Sequence, residues 1–231
     1  MRVAVIQPSY APWLGYFWMM KNVDLFIYYN NVQYDKNGWR NRNRVLVDGA
    51  TKWLTLSIRK ETLDSRLDKR DLRKIELFNE NQFAEHRRLL GIYYRKAPYL
   101  FLLDNIYQES LSKFLLLSEA VIIHTEAIAN LIGVRSKRLI SDQIVEWEDC
   151  NLKFTGTPEQ RKNQKLLRLL KSVGCTTYLT GLAARNYLDI SLFTENGIDI
   201  EWNCYAGQQD NLSVLHYLVA GGLEDVLCLL E

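Results

Sequence analysis

The chain has 231 residues, of which 48% are hydrophobic and 24% are charged, and its 29 Lys and Arg residues nearly balance 27 Asp and Glu residues. This composition excludes a disordered chain, and the 12 glycines and 4 prolines exclude a collagen-like or linker-like one. The net charge of +2 predicts no general attraction to nucleic acid or anionic membrane, so any electropositive site must be local.

Cysteine spacing and the N-terminal sequence narrow the class of protein further. The cysteines at 150, 175, 204 and 228 form no close pair, so neither a disulfide scaffold nor a zinc site is predicted. The N-terminus lacks a signal-peptide pattern, and no segment approaches the roughly 18–20 apolar residues of a membrane span. We therefore expect a cytoplasmic protein without a membrane partner.

The first thirty residues predict a β-α-β unit. Residues 3–6 form a short apolar run that ends at Gln7-Pro8, and residues 13–23 carry apolar side chains at spacings of three to four. A second apolar run covers residues 24–29. Strand, loop, helix and strand in this order are typical of a parallel sheet.

The middle of the chain combines a hairpin pattern with helical patterns. Residues 45–47 and 53–58, separated by an Asp48-Gly49 turn, predict a hairpin. Residues 63–118 are first dense in charge and then show helical periodicity, so we predict a helical portion there. Residues 120–131 fit either a strand or a helix.

The last third predicts a return to the sheet. Residues 158–173 have an apolar stripe and a Thr157-Pro158 start, which indicate a helix. Strands are predicted at 176–179 and 198–202, and a terminal helix at 213–230. The sequence therefore predicts one α/β domain over residues 1–231, a Rossmann-like parallel or mixed sheet with an inserted or appended helical portion.

The loop after the first predicted strand is the first candidate site. It contains Gln7, Tyr10 and Trp13, and it leads through Gly15 and Tyr16 into the first helix. Ligands of parallel α/β sheets bind at the carboxyl ends of strands, and a helix N-terminus attracts anions. We expect Gly15 to permit close approach of a ligand. The alternative is a rigid aromatic loop packed on the core.

Residues 32–44 form the second candidate, because their composition is unusual for a strand. In an extended chain Arg40, Arg42 and Arg44 share one face, with Asn41 and Asn43 on the other. Such guanidinium groups suit a phosphate or a carboxylate, and the neighbouring Trp39 could stack on a base or sugar. The alternative is an exposed basic strand, and the near-neutral total charge makes nucleic acid an unlikely partner.

Two further candidates lie later in the chain. Arg185 and Asp189 follow a predicted strand and could bind an anion and a hydroxyl, or could form an Arg–Asp pair within a turn. His86 suits acid–base chemistry at neutral pH, or is a surface residue of a charged helix. No dinucleotide, phosphate-loop, hydrolase or zinc-protease motif occurs, so the sequence identifies no cofactor and no metal site.

These motifs resemble the WbqC-like protein family, which is found among bacterial genes for O-antigen and other surface-polysaccharide biosynthesis. Two positions depart from its pattern: Ile6 stands where the family commonly has His, and Asn30-Asn31 stand where it commonly has two acidic residues. The resemblance is carried by residues 7–17, 32–44, 53–55, His86, residues 96–99 and residues 180–189.

The resemblance implies an enzyme of surface-glycan precursor biosynthesis, and the residue types favour an acyl or aminoacyl transferase acting on a nucleotide-linked amino sugar. The expected roles are anion binding by Arg40, Arg42 and Arg185, pocket walls from Trp13, Tyr16 and Trp39, hydroxyl or amide recognition by Gln7, Gln33, Asn41 and Asn43, and proton transfer by Tyr34, Lys36 or His86. The departures keep open a non-catalytic subunit that binds a sugar nucleotide or a partner enzyme, and the Arg/Asn/Trp stretch keeps open an RNA- or tRNA-using protein. A homo-oligomer also stays open.

Overall fold

The structure is a computed structural model. It describes residues 1–59, 71–110, 115–144, 154–207 and 210–231. These residues divide into two compact units. The sheet unit comprises residues 1–6, 19–29 and 135–205, and the helical unit comprises residues 7–18, 30–134 and 206–231. The single domain over residues 1–231 stays a prediction.

Seven strands occur in the described ranges: β1 Arg2–Ile6, β2 Leu25–Tyr28, β3 Arg42–Val47, β4 Ala50–Thr55, β5 Lys137–Ile140, β6 Thr177–Thr180 and β7 Asp199–Trp202. Five of them form the sheet of the sheet unit in the order β5-β2-β1-β6-β7, with every neighbouring pair parallel. This order is that of a doubly wound sheet, in which the chain leaves the first strand toward both edges. The predicted Rossmann-like α/β fold is confirmed, with a parallel sheet.

The central strands of the sheet and its edge form for different reasons. Residues 3–5 of β1 and all of β2 are buried, as expected of parallel strands that are covered on both faces. β5 reads Lys-Arg-Leu-Ile and is only partly buried. Because this sequence contains no apolar run of strand length, no strand was predicted there. Its formation depends on hydrogen bonding to the free edge of β2.

The structure contains seven α-helices in its described ranges: α1 Leu14–Lys21, α2 Gln82–Tyr93, α3 Leu102–Ser110, α4 Leu117–Leu131, α5 Pro158–Ser172, α6 Ile190–Thr194 and α7 Val214–Leu229. α5 starts as predicted, because Thr157 and Gln160 form a reciprocal capping box and Pro158 occupies the first turn. Its buried leucines pack against the strands of the sheet unit.

The helical unit contains α2, α3, α4 and α7, and α2 and α3 lie within residues 63–118. Residues 60–70 and 111–114 lie outside the described ranges. Residues 120–131, which fit either a strand or a helix, belong to α4, and most residues of that helix are buried. An extended segment would present only alternate residues to one side, whereas a helix surrounded by protein buries all its faces.

β3 and β4 form the predicted hairpin of the helical unit. Asp48 and Gly49 have φ values of 49° and 75°, as a two-residue turn that matches the twist of its strands requires. Along β3 burial alternates, so that Asn43 is buried while Arg42 and Arg44 are partly exposed. The predicted alternation is confirmed for these residues, and β3 begins only after Arg40.

Candidate functional site

In the helical unit the loop after β1 packs against the segment that leads into the hairpin, and Arg40 links them. Its Nη1 donates to the carbonyl oxygens of Gln7 at 3.2 Å and Pro8 at 3.1 Å, and to Ser9 Oγ at 2.8 Å. Its Nε pairs with the Asp35 carboxylate at 3.1 Å, and its side chain is only 14% exposed. Arg40 is thus a positioning residue for the loop, and its predicted contact with a phosphate stays a prediction.

Two buried asparagines hold the same segment in place. Asn43 Nδ2 donates to the carbonyl of Ala11 at 2.7 Å, and its Oδ1 accepts from the backbone N–H of the next residue. Ala11 has a φ of 43°, a costly conformation for a residue with a Cβ, so this bond supports a strained loop. Asn41 accepts from the Tyr34 hydroxyl at 3.1 Å and donates to the Leu56 carbonyl at 2.8 Å.

Alternate residues of β3 and their neighbours form an arginine–tryptophan surface, defined by Trp39, Arg42, Arg44 and Trp53. The two indole rings stack with centroids 5.8 Å apart, and they are 39% and 46% exposed. The Arg42 guanidinium lies 4.5 Å from the Trp53 centroid, and that of Arg44 lies 5.4 and 5.6 Å from the two rings. Cations over indole faces are held by cation–π attraction, which fixes their position.

The guanidinium groups of the arginine–tryptophan surface have no carboxylate partner among the residues that the structure describes. Arg42 donates to the backbone carbonyl of Asn37, and Arg44 donates to that of Asp210 at 3.1 Å. Trp53 was not predicted as a binding residue, although the Asp48-Gly49 turn places it directly opposite Arg44. Register counted from the turn could have found it.

His86 is brought to the first loop by α2. The buried Gln82 side chain starts this helix by bonding the Ser57 backbone in both directions. One turn later, His86 Nδ1 lies 2.7 Å from the Tyr10 hydroxyl. Burial lowers the pKa of His86 to about 4, against the opposing effect of a hydrogen bond to the Thr55 backbone. His86 is partly exposed and uncharged at pH 7, and its predicted acid–base role stays a prediction.

A fully buried histidine, His124, adjoins this pair. The ring of His124 lies 5.3 Å from that of Tyr10 and 4.9 Å from that of Tyr107, whose hydroxyl is 3.0 Å from the Tyr10 hydroxyl. His124 Nδ1 meets Ser110 Oγ at 3.0 Å, and burial lowers the pKa of His124 to about 3. The histidine, tyrosine and hydroxyl groups therefore form an uncharged polar cluster, which no local sequence pattern indicated.

Of the remaining loop residues predicted as binding groups, Gly15 and Tyr16 are buried, whereas Gln7 and Trp13 are partly exposed. A Cβ at Gly15 would clash with the Trp13 ring, so the residue at this position must be small. The predicted close approach of a ligand at Gly15 stays a prediction. The Tyr16 hydroxyl is 3.5 Å from the Gln7 carbonyl, and burial raises its pKa.

Gln33, Tyr34 and Lys36 lie on the approach to the hairpin. Gln33 is exposed and forms a β-bridge with Asp71, and Lys36 is exposed. Tyr34 is buried, which raises the pKa of its hydroxyl, and the Asp35 charge adds to this effect. Tyr34 therefore stays protonated near neutral pH.

Arg185 and Asp189 belong to the sheet unit, where both line a cleft of ≈ 710 Å³. They form no ion pair with each other, so the alternative of a simple Arg–Asp turn is wrong. The Arg185 guanidinium lies 4.8 Å from the Trp202 ring centroid, and Asp189 caps α6 by accepting from the Leu192 N–H at 3.3 Å.

No group of three or more His, Cys, Asp or Glu side chains converges in the described ranges as metal ligands would. Across the same parts of the chain, no helix combines the length and apolar character that a bilayer crossing requires.

Comparison with known proteins decides the family. The profile of the WbqC-like protein family matches residues 7–224. The chain belongs to this family. The uncharacterized protein Rv1507c of Mycobacterium tuberculosis (strain ATCC 25618 / H37Rv) is 28% identical over 235 residues, covering 100% of this chain and 91% of that relative. No solved structure matches significantly. The resemblance drawn from the sequence motifs is confirmed.

Proposed function

We propose that this WbqC-like protein is a group transferase of surface-glycan precursor biosynthesis, which moves an acyl or aminoacyl group to the amine of a nucleotide-linked sugar. The observation that carries the proposal is the arginine–tryptophan surface. It presents two guanidinium groups without a carboxylate partner among the described residues, and these lie over exposed, stacked indoles. The resemblance to polysaccharide-biosynthesis proteins supports the substrate class.

A nucleotide-linked sugar has the chemistry that this surface could recognise. Its diphosphate would take bidentate hydrogen bonds from Arg42 and Arg44, whose planar guanidinium groups match phosphate geometry. Its base or sugar ring would stack on Trp39 or Trp53, because aromatic side chains contact planar rings at little cost in side-chain entropy.

The transfer removes one proton from the attacking nitrogen and supplies one to the departing carrier. The amine nitrogen attacks the acyl carbonyl carbon, the bond from that carbon to its carrier breaks, and the carrier leaves with the electron pair. The attacking nitrogen then releases a proton, and a weak base suffices because the nitrogen becomes acidic once it has attacked. His86 would take this proton through the Tyr10 hydroxyl that is hydrogen-bonded to its Nδ1, while Tyr34 or Lys36 would donate to the departing oxygen or sulfur of the carrier.

Calorimetric titration tests the binding step. UDP-glucosamine, UDP and UMP are titrated into wild type, Arg42→Gln and Lys52→Gln. Arg42→Gln should weaken the diphosphates about 10- to 100-fold, the loss expected for a charged hydrogen bond of about 1.5–3 kcal/mol. Lys52 adjoins Trp53 on β4, but strand alternation places it on the opposite face, so Lys52→Gln removes the same charge as a control. Equal effects of both variants would exclude the surface as the binding site.

Mass spectrometry tests the transfer step. Wild type is mixed with UDP-glucosamine and a panel of acyl thioester, aminoacyl adenylate and aminoacyl-tRNA donors. Product with the added acyl mass should form with wild type and decline in His86→Gln. Tight binding without product from any donor would instead favour the non-catalytic sugar-nucleotide-binding subunit.

A further inference from the structure

The sheet unit contains a cleft that includes no residue of the arginine–tryptophan surface. Its walls come from residues 155–164, which include the first turn of α5, and from residues 185–192, which follow β6. Its volume of ≈ 710 Å³ lies in the range of small-molecule sites. The second wall begins just after the carboxyl end of β6, and α/β sheets bind ligands at such strand ends.

One buried side chain ties the two walls of the cleft together. Asn163 on α5 is 4% exposed, and its Nδ2 donates to the carbonyls of Glu159 at 3.0 Å and Tyr187 at 2.8 Å. Its Oδ1 accepts from the Asp189 N–H at 3.0 Å. The cleft is therefore preorganised, which reduces the entropy that a ligand would lose in ordering it.

The cleft presents one positive group in a fixed orientation. The Arg185 guanidinium lies over the ring of Trp202, the last residue of β7, which packs against the core of the sheet unit. Stacking on an indole uses the face of a guanidinium and leaves its N–H edges available for an anion. No carboxylate among the described residues forms an ion pair with Arg185.

The same cleft presents two negative groups. Glu159 and Asp189 are exposed lining residues, and neither forms an ion pair within the described ranges. A ligand carrying only negative charge would be repelled by these carboxylates, and one carrying only positive charge would be repelled by Arg185. A ligand with both charges satisfies all three side chains.

We propose that this cleft binds a small molecule carrying an anionic group and a protonated amine, as in an α-amino acid or an amino-sugar phosphate. Arg185 holds the anionic group, Glu159 and Asp189 hold the ammonium group, and the half-exposed ring of Tyr187 covers the apolar part of the ligand. This site goes beyond the proposed transferase and does not require the arginine–tryptophan surface.

Calorimetry with the full chain tests the proposal and separates the two ligand sources. The probes are glucosamine 6-phosphate and the common α-amino acids, each paired with its N-acetyl form, which lacks the positive charge. At least one amine-bearing probe should saturate wild type and bind at least tenfold tighter than its N-acetyl form. Arg185→Gln and Glu159→Gln should each weaken it at least tenfold.

Two control variants, Glu195→Gln and Arg42→Gln, make the outcome specific. Glu195→Gln removes an exposed carboxylate of the same unit that does not line the cleft, and it should leave probe binding unchanged. The proposal is overturned if no amine-bearing probe binds, if the N-acetyl forms bind equally well, or if Arg185→Gln has no effect. Loss of binding in Arg42→Gln but not in Arg185→Gln would also overturn it, while leaving the proposed function intact. If the amine-bearing probe binds normally but no acyl transfer is detected, the proposed function is refuted and the proposal for the cleft is not.

Discussion

The arginine–tryptophan surface and the sheet-unit cleft use the same local arrangement in different surroundings. Arg42 lies 4.5 Å from the Trp53 ring centroid, and Arg185 lies 4.8 Å from that of Trp202. The first region adds a second guanidinium from Arg44, whereas the second adds carboxylates. The comparison teaches that an arginine fixed on an indole does not by itself define a ligand, because the neighbouring charges decide which ligand fits.

Each region also depends on a buried asparagine within its own unit. Asn43 holds the strained Ala11 in the helical unit, and Asn163 ties α5 to residues 187–189 in the sheet unit. Both amides use their donor and acceptor groups on backbone, so each fixes loop geometry without contacting solvent.

The largest expected effect comes from removing these anchors. Asn43→Ala leaves the buried Ala11 carbonyl without its bond, and it should lower the free energy of unfolding by about 3 kcal/mol. For a chain of this length, that corresponds to a fall in the thermal midpoint of roughly 6–12 °C. Asn163→Ala should act comparably, and each variant should impair only its own region in ligand titrations.

Asn81→Ala serves as the control for both anchors, because this exposed residue precedes α2 and its side chain makes no cap hydrogen bond. Its thermal midpoint, measured by circular dichroism, should stay within about 2 °C of wild type. If the thermal midpoint of Asn43→Ala stays as close to wild type as that of this control, Asn43 does not anchor its region as Asn163 does.

The second-largest expected effect is a loss of stability in acid, which should differ between the two units. All three histidines lie in the helical unit. The folded pKa values of about 4 for His86 and about 3 for His124 lie below the ordinary value of 6.5. The unfolded chain therefore binds more protons than the folded one, and stability falls as pH drops from 6.5 toward 4.

His86→Gln isolates the contribution of one histidine to this loss. Between pH 7 and pH 5 the variant should lose about 2 kcal/mol less unfolding free energy than wild type, since glutamine does not titrate. Urea unfolding at both pH values measures the difference. Identical losses in the two proteins would show that His86 is not held uncharged.

A smaller effect should follow removal of either indole. Trp53→Leu should weaken diphosphate binding at the arginine–tryptophan surface by about 3- to 10-fold, since a cation–π contact contributes about 0.5–1.5 kcal/mol. Trp202→Leu should do the same for the amine-bearing probes of the cleft. Each variant is the other's control, and titrating both ligands against both variants checks the assignment. If Trp53→Leu weakened the amine-bearing probes and Trp202→Leu weakened the diphosphates, our assignment of ligands to regions would be reversed.

The smallest effect concerns the ion pair between Arg40 and Asp35. Asp35→Asn should change the unfolding free energy by less than about 1 kcal/mol, because the carboxylate is half exposed and exposed pairs are weak. The bonds from Arg40 to the first loop should keep the loop in place, so diphosphate binding should be unchanged. A large loss of binding would show that the carboxylate, rather than the loop carbonyls, positions Arg40.

Local signals in the sequence account for the elements that were predicted correctly. The start of α5 follows from Thr157 and Pro158, and the hairpin follows from Asp48-Gly49, since caps and turns are short-range interactions. The alternation of arginine and asparagine along β3 follows from strand geometry alone. The family could also be recognised from motifs in the first 44 residues, together with later segments.

Only the tertiary structure decided how these pieces meet. Tyr10 and His86 are 76 residues apart, and no local rule joins them. Arg40 follows the same alternation as Arg42 and Arg44, yet it lies outside the strand and bonds the first loop. Sequence patterns determine the helices, the turns and the faces of strands, because these depend on neighbours in the chain. Long-range packing determines whether a charged side chain faces a ligand or the protein's own backbone.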